Sequence, residues 1–346
     1  MVQPISATSP SVRTDLLPSA RRPPVVTPDL QSASALRRSL EEELQRGDAQ
    51  WIRMDGLGVD DPDAHRGLQS GVRRTGVHRY IVPTPPGVVV LDWKHLAAVS
   101  ADGLAFAAVL LQALCALKTR VICCPAQDPH VSETLAHTFC AALRYKGVEW
   151  LPEFADRADA KNPRVLLGPV YCFGGARGVS VGKAIDEAES ALELAGWARV
   201  PELNDLIVEI AQNIGTHADA SHAALCVLID QRRRPPRLQV GVADDGVGIP
   251  TAMLSDPRYT WLQSYSPARA NETVIVRQLS GRGADRGGGV LGELYGTLIA
   301  EAGATVTLRS GEGWVRIGGN DRTPRRQSLT YGLGTQLLVE LPLTRR

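Results

Sequence analysis

Two apolar runs, His222 to Asp230 and Arg237 to Ala243, flank a short polar connection, Gln231 to Pro236, and the second run ends in Asp244-Asp245-Gly246-Val247-Gly248-Ile249-Pro250. Apolar runs of this length read as buried strands. The connection carries Arg232, Arg233 and Arg234 and reads as a solvated hairpin turn. A strand that enters D-x-G-x-G sets a carboxylate at its C-terminal end and follows it with backbone bearing few side chains. Such a carboxylate can accept a hydrogen bond from an exocyclic amine such as that of adenine, and the glycines let main chain approach a flat ring closely. Taken alone, the motif also fits a plain Asp-Gly turn between strands.

Upstream, Pro201 to Ala220 has a helical period. Glu209, Asn213 and His217 stand at i, i+4 and i+8 and drift only about 40° per step. Leu203, Leu206, Ile210 and Ile214 form the neighbouring apolar face, so the polar stripe borders the core. A carboxylate and an amide at a core edge are either satisfied structurally or aimed into a pocket. Downstream, Gly281 to Gly292 is glycine-dense and runs into an apparent helix from Leu291 to Ala302. Backbone N–H groups at such a loop and helix start suit phosphate oxygens. Last, Tyr331-Gly332-Leu333-Gly334-Thr335 enters a final strand, after two more strands expected at Thr305 to Arg309 and Trp314 to Ile317.

The order of these four features resembles the GHKL superfamily of ATP-binding domains, found in gyrases, heat-shock chaperones, histidine kinases and MutL-type proteins. The resemblance covers Val181 to Pro342. It implies a Bergerat-type α/β sandwich of a mixed sheet and helices, with ATP under a mobile lid between about Leu254 and Gly289. It also implies Glu209 as the general base, Asn213 as the Mg²⁺ ligand, and Asp244 as the adenine-binding carboxylate. Gly246 and Gly248 become the close-approach glycines, Gly287, Gly289 and Gly292 the lid glycines near the phosphates, and Thr335 the hydroxyl near the adenine. His217 aligns with a common position of that helix, where a packing role is the plainer reading. The lid departs from the family, reading Gly-Gly-Gly-Val-Leu-Gly-Glu, and Gly215 inside the helix costs about 1 kcal/mol relative to Ala. No phosphoacceptor histidine box is visible, so an autophosphorylating histidine kinase is not expected.

The N-terminal half has a different pattern. Residues 1–33 are rich in Ser, Pro, Thr and Arg and read as a disordered tail. A short helix is expected at Ala33 to Arg46. Val88 to Leu91 and Val121 to Cys124 read as buried strands separated by a nearly all-apolar helix, Gly103 to Lys118, and His130 to Tyr145 as a further helix. Strand and helix alternating with short links imply a parallel α/β unit. This stretch resembles a STAS domain of the anti-anti-sigma type, in which a phosphorylatable Ser or Thr precedes a loop glycine. Here Asp102 precedes Gly103, either as a helix cap or as an imitation of the phosphorylated state. The expected organisation is a tail at 1–33, a STAS-like parallel α/β domain at 34–152, a connection at 153–180 and the ATP-binding domain at 181–346.

Composition limits the function classes. There are 38 Lys and Arg against 37 Asp and Glu, a net charge of +1, which argues against wholesale wrapping of nucleic acid or adhesion to an anionic membrane. No uncharged apolar run reaches the ~20 residues that span a bilayer, and no secretory h-region opens the chain. The six cysteines lack zinc spacing and read as buried thiols, which points to the cytoplasm. The resulting expectation is a bacterial-type regulatory or signalling protein that hydrolyses Mg·ATP or transfers phosphate to a partner's hydroxyl. The alternative is a non-catalytic ATP-dependent switch that engages a protein partner through the STAS-like domain. Dimerisation is left open.

Overall fold

The computed structural model describes residues 49–53, 73–75, 79–81, most of 88–136, 148–150, 165–173, most of 181–198 and 205–210, nearly all of 220–279, 298–299, and 303–345 apart from 319–320 and 329–333. The tail at 1–33 and the expected helix at Ala33 to Arg46 lie outside them. The content is mixed α/β. The first sheet has four strands: β1 (Ala49–Arg53), β4 (Val88–Asp92), β5 (Arg120–Cys124) and β6 (Val148–Trp150). They pair in that order and every pair is parallel. A separate hairpin joins β2 (Arg73–Thr75) to β3 (Arg79–Ile81).

The second sheet has seven strands. They are β7 (Val165–Phe173), β8 (Ala223–Asp230), β9 (Arg237–Asp244), β10 (Thr305–Ser310), β11 (Gly313–Gly318), β12 (Asp321–Ser328) and β13 (Thr335–Pro342). Their order across the sheet is β12-β11-β10-β13-β9-β8-β7. All six pairings are antiparallel, where the resemblance implied a mixed sheet. The stretch 153–180, expected as a connection, contains the edge strand β7.

Both faces of this sheet are covered, which explains the continuous apolar run of β8. Ala224, Cys226 and Leu228 face the helix α1 (Ala101–Ala116), packing with its Leu104, Ala108 and Leu111. Leu225, Val227 and Ile229 face the other way, into a core shared with Leu192 of α3 (Val181–Leu194) and with Leu206 and Ile210. Leu206 and Ile210 were expected on the apolar face of their helix, and both are buried. Between α1 and α3 in sequence lies α2 (Pro129–Leu135), capped by Asp128, whose carboxylate accepts the amides of His130 and Val131.

Helix α1 begins two residues earlier than expected and crosses strand β9 closely. A Cβ on Gly241 of β9 would overlap the backbone of Ala101 and Asp102, so only a glycine lets the helix start settle there. The Gln239 side chain accepts the Ala101 amide at 3.3 Å and satisfies one of the open N–H groups of the first turn. Asp102 is in that turn and fully buried. A negative charge is favourable at that end of a helix, and no partner can read this side chain while α1 stays docked. Burial pushes the Cys226 thiol opposite it well above the ordinary range, and the Asp102 carboxylate adds to the effect. Cys123 and Cys226 are buried cysteines outside any disulfide, as the apolar setting of the cysteines predicts, and Cys124 is partly exposed. Among the described residues, no helix is long and apolar enough to cross a membrane.

The segment after β9 was expected to contribute a lid from Leu254. Its described part contains α4 (Ile249–Leu254), a 3₁₀ helix (Pro257–Ser264) and α5 (Pro267–Val276), and 280–289 lie outside the described residues. These three pack around Met253, Leu262, Ala270 and Val274. Asn271 of α5, fully buried, donates to the carbonyls of Ser310 and Gly313 at 3.0 Å each and fastens α5 to the β10–β11 hairpin.

Candidate functional site

The register of the seven-stranded sheet assembles the site. Asp244, the last residue of β9, pairs with Thr335, the first of β13, and Thr335 pairs with Ser310, the last of β10. Cross-strand partners share a face, so three polar side chains stand in one row at the rim of an otherwise apolar surface. Asp244 Oδ1 accepts the Gly246 amide at 2.8 Å, closing a local Asx-type turn, and the Thr335 amide at 3.1 Å. Among the described residues nothing donates to its second carboxylate oxygen. The Thr335 and Ser310 hydroxyl oxygens lie 3.1 Å apart. Ser310 Oγ also accepts the Ile249 amide at 2.6 Å and so caps α4, whose own N-cap residue is a glycine.

Glycines hold the row tightly. Gly334 has φ +51°, and a Cβ there would overlap the Asp244 carbonyl and lie 2.8 Å from its Oδ1. Gly248 has φ +79°, and a Cβ there would lie 3.0 Å from the Gly311 nitrogen and 3.3 Å from the Gly334 oxygen. The Gly311 amide donates to the Gly334 carbonyl at 3.2 Å, tying the ends of β10 and β13 together. The outcome is a rim of bare backbone around one carboxylate.

Asp244 is 3% exposed. Burial pushes its carboxyl up from 3.8 to about 7, against the lowering effect of the two backbone amides, with the Asp245 charge adding a further rise. Asp245 does different work. Its Oδ1 accepts the amides of Ser221 and His222 at 2.7 and 2.8 Å, and its Oδ2 accepts from His222 Nδ1 at 2.7 Å. The Asp245 amide in turn donates to the His222 carbonyl at 3.1 Å. These four contacts lock the entry to β8 against the exit from β9.

Of the expected site residues, Asp244, Gly246, Gly248 and Thr335 are brought together. Glu209, Asn213, Gly287, Gly289 and Gly292 lie outside the described residues, as does His217. Among the described residues, no three His, Cys, Asp or Glu side chains group as a metal site. Ser310, Asn271 and the His222–Asp245 pair were not anticipated. Nothing in local spacing marks them, because they become neighbours only through the pairing of β8 with β9 and of β10 with β13, and through the packing of α5 on the β10–β11 hairpin. No protein-family model, curated protein or solved structure is significantly similar to this chain.

Proposed function

We propose that this chain is an ATP-binding regulatory protein of the GHKL type, with a Bergerat-type nucleotide domain and a STAS-like N-terminal unit, working in the cytoplasm. The observation that carries the reading is the Asp244–Thr335–Ser310 row under a glycine rim. Asp244 has one oxygen committed to backbone amides and one without a donor among the described residues. That is the acceptor an exocyclic purine amine needs, in a setting where bare backbone lets a flat ring lie close. Glu209 is assigned the base that takes a proton from water, or from a partner's Ser or Thr hydroxyl. As the oxygen bonds to the γ-phosphorus, the bond to the bridging oxygen breaks and ADP leaves. Gly287, Gly289 and Gly292 are assigned to the phosphates. Asn213 offers the oxygen donor that Mg²⁺ accepts, and the bound ion neutralises charge on the phosphates.

A second reading is a switch without turnover. It draws on the placement of α1 directly over Gly241 of the strand that ends, three residues later, at Asp244. Nucleotide occupancy and the seating of α1 then act on one strand.

The test is ATP binding by calorimetry together with phosphate release for the native chain and for Asp244→Ala, Glu209→Ala and Asn213→Ala. The enzyme reading expects binding lost in Asp244→Ala, and binding kept with turnover lost in Glu209→Ala. It also expects Asn213→Ala to weaken Mg·ATP far more than metal-free adenosine. Binding without turnover in the native chain supports the switch, and absence of nucleotide binding rejects both.

A further inference from the structure

Beyond the Asp244 row, the 3₁₀ helix and α5 present an organised exposed surface among the described residues. The Arg269 guanidinium lies 4.7 Å from the centre of the Tyr265 ring. Tyr265 meets Trp261 edge to face, 5.7 Å between centres and 81° between planes. The Arg277 guanidinium lies 5.5 Å from the Trp261 ring. Four side chains therefore form one continuous stack, cation–ring–ring–cation. Both arginines are exposed, and Trp261 and Val276 are each 36% exposed. The acids of this segment are engaged elsewhere: Asp256 with Arg258, and Glu272 with Arg326 at 2.9 Å. Among the described residues, neither Arg269 nor Arg277 has an acidic partner. The stack rests on a firm base, since Leu262, Ala270 and Val274 beneath it are buried and Asn271 pins α5 to the sheet.

We propose that this surface binds an extended acidic segment of a partner protein. Two of its carboxylates pair with Arg269 and Arg277, and an apolar side chain between them lies on Trp261. A guanidinium stacked on a ring keeps its N–H edge free for a carboxylate and loses little further freedom when it pairs. Trp, Tyr and Arg are also the residues that most often dominate binding energy at interfaces. The peptide spacing is taken from the backbone: Arg269 and the C-cap residue Arg277 are eight residues apart, about 12 Å of rise at 1.5 Å each. Four residues of extended chain cover about 13 Å, so the acids belong at i and i+4 with the apolar residue midway. A single nucleic-acid strand fits less well. It needs a positive groove that follows several phosphates, whereas here two cations lack an acidic partner among the described residues, on a chain of net charge +1.

The surface lies on the segment that the nucleotide reading assigns to the lid, but it is argued without nucleotide and is tested with none present. The experiment titrates the full chain into a fluorescein-labelled peptide containing Glu-Ser-Leu-Ser-Glu and reads anisotropy and Trp fluorescence. Saturable binding is expected, weakened by added salt and reduced about tenfold by Arg269→Ser or Arg277→Ser, or about 1.4 kcal/mol each. Trp261→Ala should abolish the fluorescence response and weaken binding similarly. Circular dichroism checks that these surface variants remain folded. The proposal is overturned if a peptide with Lys for Glu binds as well, if the Arg269→Ser/Arg277→Ser double variant binds unchanged, or if no peptide binds. Tighter binding of a ten-nucleotide thymidine strand also overturns it and assigns the stack to nucleic acid.

Discussion

Asp244 makes the free protein pay for its site in a way that pH can expose. Its carboxyl is raised from 3.8 to about 7 by burial. The folded chain therefore holds a proton between these values that the unfolded chain has released. The stabilisation from this group is complete below about pH 4 and is lost as pH rises through about 7. Three pH units at 1.36 kcal/mol per unit give a loss on the order of 4 kcal/mol by pH 8, a large share of the 5–15 kcal/mol typical of a domain. Asp244→Asn keeps an Oδ1 acceptor for the Gly246 and Thr335 amides but cannot ionise. Urea midpoints measured from pH 4 to 9 should fall in the native chain relative to this variant, with the difference growing between about pH 4 and 7 and flat above 8. The variant should be the more stable protein at pH 8 and should bind nucleotide poorly, because its amide presents a donor to the purine amine. A difference curve that stays flat across this range would refute the assignment of a buried, proton-holding carboxyl.

Other perturbations test the frame around it. Gly334→Ala meets a left-handed backbone and an overlap with the Asp244 carbonyl; it should cost about 1–3 kcal/mol from strain alone and depress nucleotide binding with it, read by thermal melts with and without ATP. Gly241→Val should unseat α1 from β9, costing about 1–3 kcal/mol, and raise hydrogen exchange at residues 101–104 above that at β5. Asn271→Ala removes two hydrogen bonds to buried carbonyls and should cost about 2–3 kcal/mol, with faster exchange confined to α5 and the β10–β11 turn.

How much of this can be read along the chain depends on whether the signal is local. The apolar runs of β8 and β13, the turn between β8 and β9, and the helix α1 were legible, because a segment buried on both sides has few polar residues wherever it sits in a fold. The two edge strands were not. β7 contains Gly168-Pro169 and pairs with register shifts, while β12 reads Asp-Arg-Thr-Pro-Arg-Arg-Gln-Ser. Proline and charge mark a loop to a sequence reader, yet they are what an edge strand tolerates, since one side of its backbone goes unpaired.

The site divides along the same line. The sequence alone sets Asp244 at a strand end with glycines after it, and Thr335 at a strand start after Gly334, since both depend on neighbours within a few residues. Tertiary structure decided that these ends meet. Thr335 is ninety-one residues from Asp244, and only the placement of β13 between β9 and β10 sets its amide on Oδ1 and its hydroxyl beside Ser310. Long-range strand pairing is chosen by the summed burial of both sheet faces, including the α1 face that originates in the other half of the chain, and no single stretch of residues carries that sum.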